Sequence, residues 1–297
     1  MSSPKRTVLI TGCSDGGMGS ALALSFHKAN WRVLTSARNL TKTTAVSAAG
    51  IETLQLDTLS ASSIASAVSR VTELTGGTLN CIVHNAGAGF TMPLSDVDVA
   101  QAKELFDLNV FSIITVTQAF LPLLRNAAPD ALLVIHTSGS SQTAGMLPFA
   151  GVYNASKAAA AALAETFRIE LAPFGIRTVN LLTGAVSTNF GANRVVNPTL
   201  PADSMYAIAR EEAQVVMDNT CVPDASDAAQ WAEQVVADLS RRKPAYWIWR
   251  GKLVTPVWLA GFLPVGALDF VMGGITGLSA MEKRIREVLR GEKDKAV

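Results

Sequence analysis

The sequence predicts an α/β protein, a doubly wound parallel sheet with helices on both faces. Three observations carry that expectation. Short, apolar, β-branched runs recur along the chain, too evenly apolar for either face to meet water, as in strands buried within a parallel sheet. Between them lie segments with helical spacing. The first apolar run opens at once into a glycine-rich turn and an apolar helix, an order that suits anion binding at a helix N-terminus. Six strand–helix units follow one another without a linker or an internal repeat, the alternation expected of a parallel sheet.

Thr7 to Ile10 is the first strand. The turn after it, T-G-C-S-D-G-G-M-G, runs from Thr11 to Gly19, and Ser20 to Phe26 continue as a helix. Bare backbone N–H groups and the positive end of the helix dipole make this stretch, Ser14, Asp15 and Met18 included, a cradle for a dinucleotide pyrophosphate. No G-K-[ST] follows, which argues against a nucleotide triphosphatase. Trp31 to Ser36 is the second strand, leading to Arg38 and Asn39. A dinucleotide site usually places a carboxylate here for the ribose 2′-hydroxyl. Ser36, Arg38 and Asn39 stand there instead, and a guanidinium binds a 2′-phosphate by charge-assisted bonds. The cofactor expected is therefore NADPH/NADP+.

Ile51 to Leu56 is the third strand, closed by Asp57, and Ser60 to Leu74 has helical spacing. Leu79 to His84 is the fourth, ending in Asn85-Ala86-Gly87. Asp96 to Leu124 reads as one long helix containing Asn109. Ala131 to Ile135, the fifth strand, runs into Thr137 to Ser141, and a helix follows from Ala150 to Leu171. Ile176 to Leu182 is the sixth strand, ending in Thr183 to Thr188. Ala225 to Leu239 reads as a helix and Ala245 to Trp249 as the last strand. Ligands of such sheets bind beyond the carboxyl ends of the strands, where most of these polar motifs fall.

Tyr153 and Lys157, within Y-N-A-S-K, are four apart and share one helix face. A phenol with a pKa near ~10 is a poor acid or base at neutral pH. A nearby ammonium favours the phenolate and is expected to lower that value, which suits general acid/base work.

A net charge of +1 points to no nucleic-acid partner. Three widely spaced cysteines, Cys13, Cys81 and Cys221, make neither a disulfide framework nor a zinc site, and scattered histidines make no metal site. No signal-peptide pattern opens the chain, so a cytoplasmic location is expected.

These motifs, in this order and spacing, resemble the short-chain dehydrogenase/reductase family over roughly the first 250 positions. The resemblance implies a Rossmann-type fold and a small-molecule carbonyl substrate. It makes Tyr153 the acid/base and gives Lys157 the nicotinamide ribose. Ser140, thirteen residues before Tyr153, would bond the substrate oxygen, and Asn109 would support a proton relay through water. Asp57 would meet adenine, Asn85 to Gly87 would line the cofactor, and Val186 and Thr188 would lie at its nicotinamide end. The family's T-G-x-x-x-G-x-G carries one extra residue here, which assigns the glycine roles to Gly12, Gly17 and Gly19 with Gly16 as the spare. Ser138 and Ser141 read as turn hydroxyls. The family's P-G after the sixth strand is Thr183-Gly184 in this chain. The loop variant, A-R-N, P-F-A-G-V-Y and Y-W-I-W-R-G resemble the fungal NADPH-dependent 1-acyldihydroxyacetone-phosphate reductase branch. That branch includes reductases of secondary metabolism, so the carbonyl stays open. The alternatives are a cofactor-binding scaffold or sensor without turnover, and a membrane-surface-associated protein.

The domain expected spans 1–252, with a variable substrate loop over about 189–222 in which Arg194 and Arg210 are candidates for meeting an anionic substrate. Residues 253–297 form an apolar and helical extension. From Leu253 to Met281 the single formal charge is Asp269, and Pro256, Pro264, Gly273 and Gly274 break the run. A spanning helix needs about 20 unbroken apolar residues, so two readings remain. The stretch is a lid or interface packed on protein, or a patch dipping into a lipid surface of the endoplasmic reticulum or a lipid droplet. Met281 to Leu289 reads as a basic amphipathic helix. The alanine-rich helix after Tyr153 suits packing against another copy, in a homodimer or homotetramer.

Overall fold

A computed structural model describes residues 5–142, 146–192, 199–218 and 225–295. Seven parallel strands form one sheet: β1 (Thr7–Ile10), β2 (Arg32–Ala37), β3 (Glu52–Gln55), β4 (Cys81–His84), β5 (Ala131–Ser138), β6 (Ile176–Thr183) and β7 (Trp247–Arg250). Their spatial order is β3-β2-β1-β4-β5-β6-β7. Because β1 lies between β2 and β4, the winding reverses there, and a crevice opens above the carboxyl ends of β1 and β4. All seven expected strands are present, and β5 and β6 run on to Ser138 and Thr183.

Side chains alternate between two cores, as a strand's period of two requires. Val8, Ile10, Val83 and Val134 face one core with Leu22 and Phe26 of α1 (Met18–Lys28) and Trp231 and Val235 of α8 (Ala228–Leu239). Leu9, Ile82, Leu133 and Ile135 face the other. There they meet α3 (Ala61–Thr75), α5 (Ser112–Asn126) and α6 (Gly151–Leu171) through Ile64, Phe120 and Ala164. A short α2 (Thr44–Ala48), unheralded in the sequence, links β2 to β3.

The long helix expected from Asp96 to Leu124 is interrupted. A 3-10 turn at Leu94–Asp96 precedes α4 (Val99–Phe106), and a π turn over Asp107–Phe111 separates α4 from α5. The cause lies across the crevice, where the buried Asn109 side chain bonds to the Ala88 backbone. Val99–Asn126 is long and apolar enough to cross a membrane, yet half of its most apolar window is buried in the protein.

Beyond β6, α7 (Arg210–Asp218) and α11 (Leu278–Lys295) pack together through Ala213, Met217, Leu278 and Met281. Between β7 and α11 lie two short helices, α9 (Val254–Ala260) and α10 (Asp269–Thr276). Gly273 lets α10 approach α11: a Cβ there would sit 2.7 Å from Ser279 Oγ.

Candidate active site

The phosphate cradle is shaped by close approach. Gly12 has φ +73°, and a Cβ on it would lie 2.8 Å from Ala86 Cα. A Cβ on Gly19 would lie 2.5 Å from both Asn85 Nδ2 and Gly12 O. Gly17 caps α1 without a side-chain bond, so the first N–H groups of the helix face the crevice unmasked by a cap. A bare loop ending in an uncapped helix N-terminus fits a pyrophosphate.

Gly16 is not a spare. Asn189 donates its backbone N–H to Gly16 O at 3.0 Å and its side-chain amide to Asp15 O at 3.4 Å. A Cβ on Gly16 would stand 2.2 Å from that amide nitrogen. The extra residue is where the segment after β6 docks on the phosphate loop. Asp15, expected at the cofactor, points its carboxylate elsewhere. It accepts from Thr44 N and Ala45 N, both at 2.9 Å, and from the Thr44 hydroxyl. It therefore caps α2 and keeps its negative charge off the phosphates. Those bonds hold its pKa below the ordinary carboxylate value, the Thr44 hydroxyl contributing most.

Ser36 is also displaced from its expected role. Its hydroxyl is 1% exposed and donates to Ile10 O at 3.4 Å inside the sheet, so it cannot reach a ribose phosphate. Asn39 is occupied by Thr41, accepting from its N–H at 3.0 Å. Arg38 is exposed at the carboxyl end of β2, and Asp57 accepts from Leu59 N at 3.0 Å. Ser14 is exposed on the loop, while Met18 packs against the core.

Asn85 and His136, one of the scattered histidines, join the strands beneath the crevice. Asn85 Nδ2 donates to Thr11 O and Gly12 O at 2.8 and 3.0 Å, which leaves Oδ1 facing His136 Nδ1 at 3.0 Å. That oxygen can only accept, so Nδ1 carries the imidazole proton. Nε2 then accepts from Thr183 Oγ1 at 2.7 Å. Burial, and secondarily the Lys157 charge, push the His136 pKa down to about 3, which keeps the ring neutral. It stacks on Trp231 with centroids 5.5 Å apart. A lone histidine at a strand end carries no motif, and its role appears only when β1, β4, β5 and β6 stand side by side. Thr183, standing where the family pattern has proline, supplies the hydroxyl. Gly184 then passes so close to Lys252 that a Cβ would lie 1.9 Å from its carbonyl oxygen.

Tyr153 and Lys157 project from the first turns of α6. Lys157 Nζ donates to His136 O at 3.1 Å and lies 5.9 Å from the Tyr153 ring centroid. A Cβ on Gly87 would fall 3.6 Å from Nζ, placing the Asn85–Gly87 turn against the ammonium. Asn109 Nδ2 donates to Ala88 O at 3.0 Å and Ser156 Oγ at 3.1 Å, tying that turn to α6. The expected lowering of the phenol pKa is absent. Burial pushes Tyr153 up to about 12, and the Ser138 hydroxyl offsets only part of this. Burial pushes Lys157 down to about 8.

Two serines therefore stand as candidates for bonding a substrate oxygen. Counting back thirteen residues selects Ser140, whereas Ser138, at the carboxyl end of β5, is the serine whose hydroxyl acts on the Tyr153 phenol. Ser140 is buried in the 3-10 turn that follows, its N–H donating to Ser138 Oγ at 3.2 Å. The strand end, rather than distance along the chain, brings a hydroxyl to the phenol.

Val186 pairs with Ser226 and packs on the core, and Thr188 Oγ1 accepts from Phe190 N at 3.3 Å. Phe190 sits over Tyr153, ring centroids 5.9 Å apart. Phe90, Val152 and Met92 form the apolar wall beside Tyr153, and Met92 also joins Phe149, Tyr206 and Met281. Arg210 is committed to backbone, donating to Leu200 O and Pro201 O at 2.8 and 2.9 Å. Arg194, the other candidate for an anion, lies outside the described residues.

Residues 6–198 match the family model described as short chain dehydrogenase. The chain is 42% identical over 289 residues to a short-chain dehydrogenase/reductase of Pestalotiopsis microspora, covering 96% of this chain and 99% of that one. Over 207 residues it is 36% identical to an NADPH-dependent 1-acyldihydroxyacetone phosphate reductase of Schizosaccharomyces pombe, covering 68% of each. Among solved structures it resembles an alcohol dehydrogenase of Thermococcus sibiricus complexed with 5-hydroxy-NADP. That likeness has a TM-score of 0.65 at 25% identity, covering 83% of this chain and 97% of that one.

Proposed function

The chain belongs to the short-chain dehydrogenases, oxidoreductases that act between an alcohol and its carbonyl, and from that premise we propose an NADPH-dependent reductase of uncharged, apolar ketones or aldehydes. One observation carries the reading: a protonated phenol, acted on by the Ser138 hydroxyl and near the Lys157 ammonium, stands beside an uncapped glycine cradle. The cofactor, when bound, supplies the hydride; the protein supplies orientation and the proton.

Ser138 and Tyr153 present two hydroxyls to one point, where a carbonyl oxygen can accept from both. As charge develops on that oxygen, Tyr153 gives up its proton. The phenolate left behind is stabilised by the Ser138 hydroxyl and by Lys157, itself held by His136 O. Asn109 keeps the turn beside Lys157 in place. Its π turn loosens the main-chain ladder at that depth, which suits relay of a proton through water.

Arg38, with no carboxylate at the end of β2, supports NADPH over NADH. The names of the fission-yeast relative and of the Thermococcus complex point the same way. The substrate class follows from Phe90, Met92, Val152 and Phe190, and from Arg210 being spent on carbonyl oxygens. These features support a neutral carbonyl ahead of a phosphate ester.

The test is Tyr153→Phe, assayed by cofactor oxidation across a panel of apolar ketones with an acyl-dihydroxyacetone phosphate included, using NADPH and NADH in parallel. Turnover should fall by about three orders of magnitude while NADPH binding persists, since the phenyl ring keeps its packing and loses only the proton. Turnover equal to the parent would overturn the assignment of Tyr153. Faster parent rates with NADH, or on the phosphate ester, would overturn the cofactor or substrate assignment.

A further inference from the structure

The segment between β7 and α11 turns its apolar side chains outward. Trp258, Phe262, Val265, Phe270 and Ile275 are all exposed, Phe262 at 74% and both Val265 and Phe270 at 90%. Aliphatic and aromatic side chains rarely stand this free on a soluble surface, and a contiguous set marks an interaction site. We propose that α9, α10 and the turn joining them form a lipid-surface anchor that dips into one leaflet.

The choice of a lipid surface over a second copy rests on shape, charge and position. Val265 and Phe270 stand almost wholly clear of the protein, on the connection between α9 and α10 and at the start of α10. Projecting tips insert into a soft layer more readily than they mate with a packed protein face. The helices are too short to cross: α9 has 7 residues and α10 has 8, against about 20 for a span. Trp258 and Phe262 pack edge to face with centroids 5.3 Å apart, an aromatic pair suited to the headgroup boundary.

Charge is divided to match. From Leu253 to Met281 the single formal charge is Asp269, whereas the following turns of α11 carry Lys283, Arg284, Arg286 and Arg290 against Glu282 and Glu287. An apolar tip beside a cationic helix complements acyl chains beneath anionic headgroups. The start of α11, next to the anchor, walls the substrate side: Leu278 and Met281 pack with Tyr206 and Phe149, and through Met92 this cluster adjoins Tyr153. The anchor would thus hold the substrate wall against the phase where an apolar carbonyl dissolves. That last point rests on the proposed function; binding to lipid does not.

The test is flotation of the full chain with phosphatidylcholine vesicles, with and without phosphatidylserine, together with Val265→Asp/Phe270→Asp. The parent should float, more strongly with phosphatidylserine at low salt. The double variant should lose about a hundredfold in partition coefficient, because two apolar side chains no longer enter hydrocarbon. Its NADPH-dependent turnover of a water-soluble ketone should be unchanged, which shows that it folds. A parent that stays with the soluble fraction on both vesicle types overturns the anchor, as does a variant that floats like the parent. A parent that sediments as an oligomer, is dissociated by the variant and ignores vesicles assigns the patch to a second copy. Flotation needs no turnover, so failure of the anchor and failure of the reductase reading are separable.

Discussion

At the scale of single residues, burial opposes each charge that proton transfer creates. It raises Tyr153 to about 12 and lowers Lys157 to about 8, so near neutral pH the pair is phenol and ammonium. This is the form that donates a proton. As pH rises through the lowered Lys157 value the ammonium is lost while the phenol is still protonated, and the nascent phenolate loses its counter-charge. For ketone reduction, kcat/KM should therefore be level below about pH 7 and fall roughly tenfold per unit above about pH 8. A profile level to pH 9.5 or so would show that Lys157 keeps its charge or is dispensable. Ser138 and Ser140 are separated by a second experiment. Ser138→Ala should lower kcat by about 10²-fold with cofactor affinity kept, since one hydroxyl donor to the developing charge is removed. Ser140→Ala should fall within about threefold of the parent. The reverse ranking would restore the serine that chain spacing selects. Spacing and strand placement select different serines because β5 continues to Ser138, and chain counting from Tyr153 does not register where a strand stops. Tyr153 and Lys157 could be paired from sequence because they stand four apart on one helix face, whereas Asn109 entered through the family resemblance. His136 could not be read so, because its partners Asn85 and Thr183 lie 51 and 47 positions away.

At the scale of elements, the central strands could be read from sequence because β1 and β4 are short runs buried on both faces, a requirement written into their own residues. The break between α4 and α5 could not. Its residues look helical, and the π turn follows the Asn109 side chain, whose partner Ala88 is 21 positions upstream. The same limit hid the dual use of the glycine loop, where Gly16 and Asp15 serve the neighbouring segments instead of the phosphates. The exit from β6 shows how little slack these junctions hold. Gly184 is required by space alone, since a Cβ there would overlap Lys252 O at 1.9 Å. Gly184→Ala should cost ~1–3 kcal/mol, as overpacking against backbone does, by urea titration. An unchanged midpoint would mean that β7 and its following turn give way freely.

At the scale of the whole molecule, the parallel sheet sorts duties by strand. The β1–α1 side holds the glycine cradle, β4 to β6 hold the proton-transfer groups, and the chain beyond β6 closes the substrate side. A long-range tie crosses these regions, from Asn189 to the loop of Gly16 and Asp15, groups 174 positions apart in the case of Asp15. A contact of that sequence separation cannot help to nucleate folding, because its loop-closure entropy is met only after intervening strands have paired. The phosphate loop therefore acquires this contact only after the chain has reached Asn189. A nascent chain released before Asn189 would carry every glycine of the cradle and still lack the strap that closes over it.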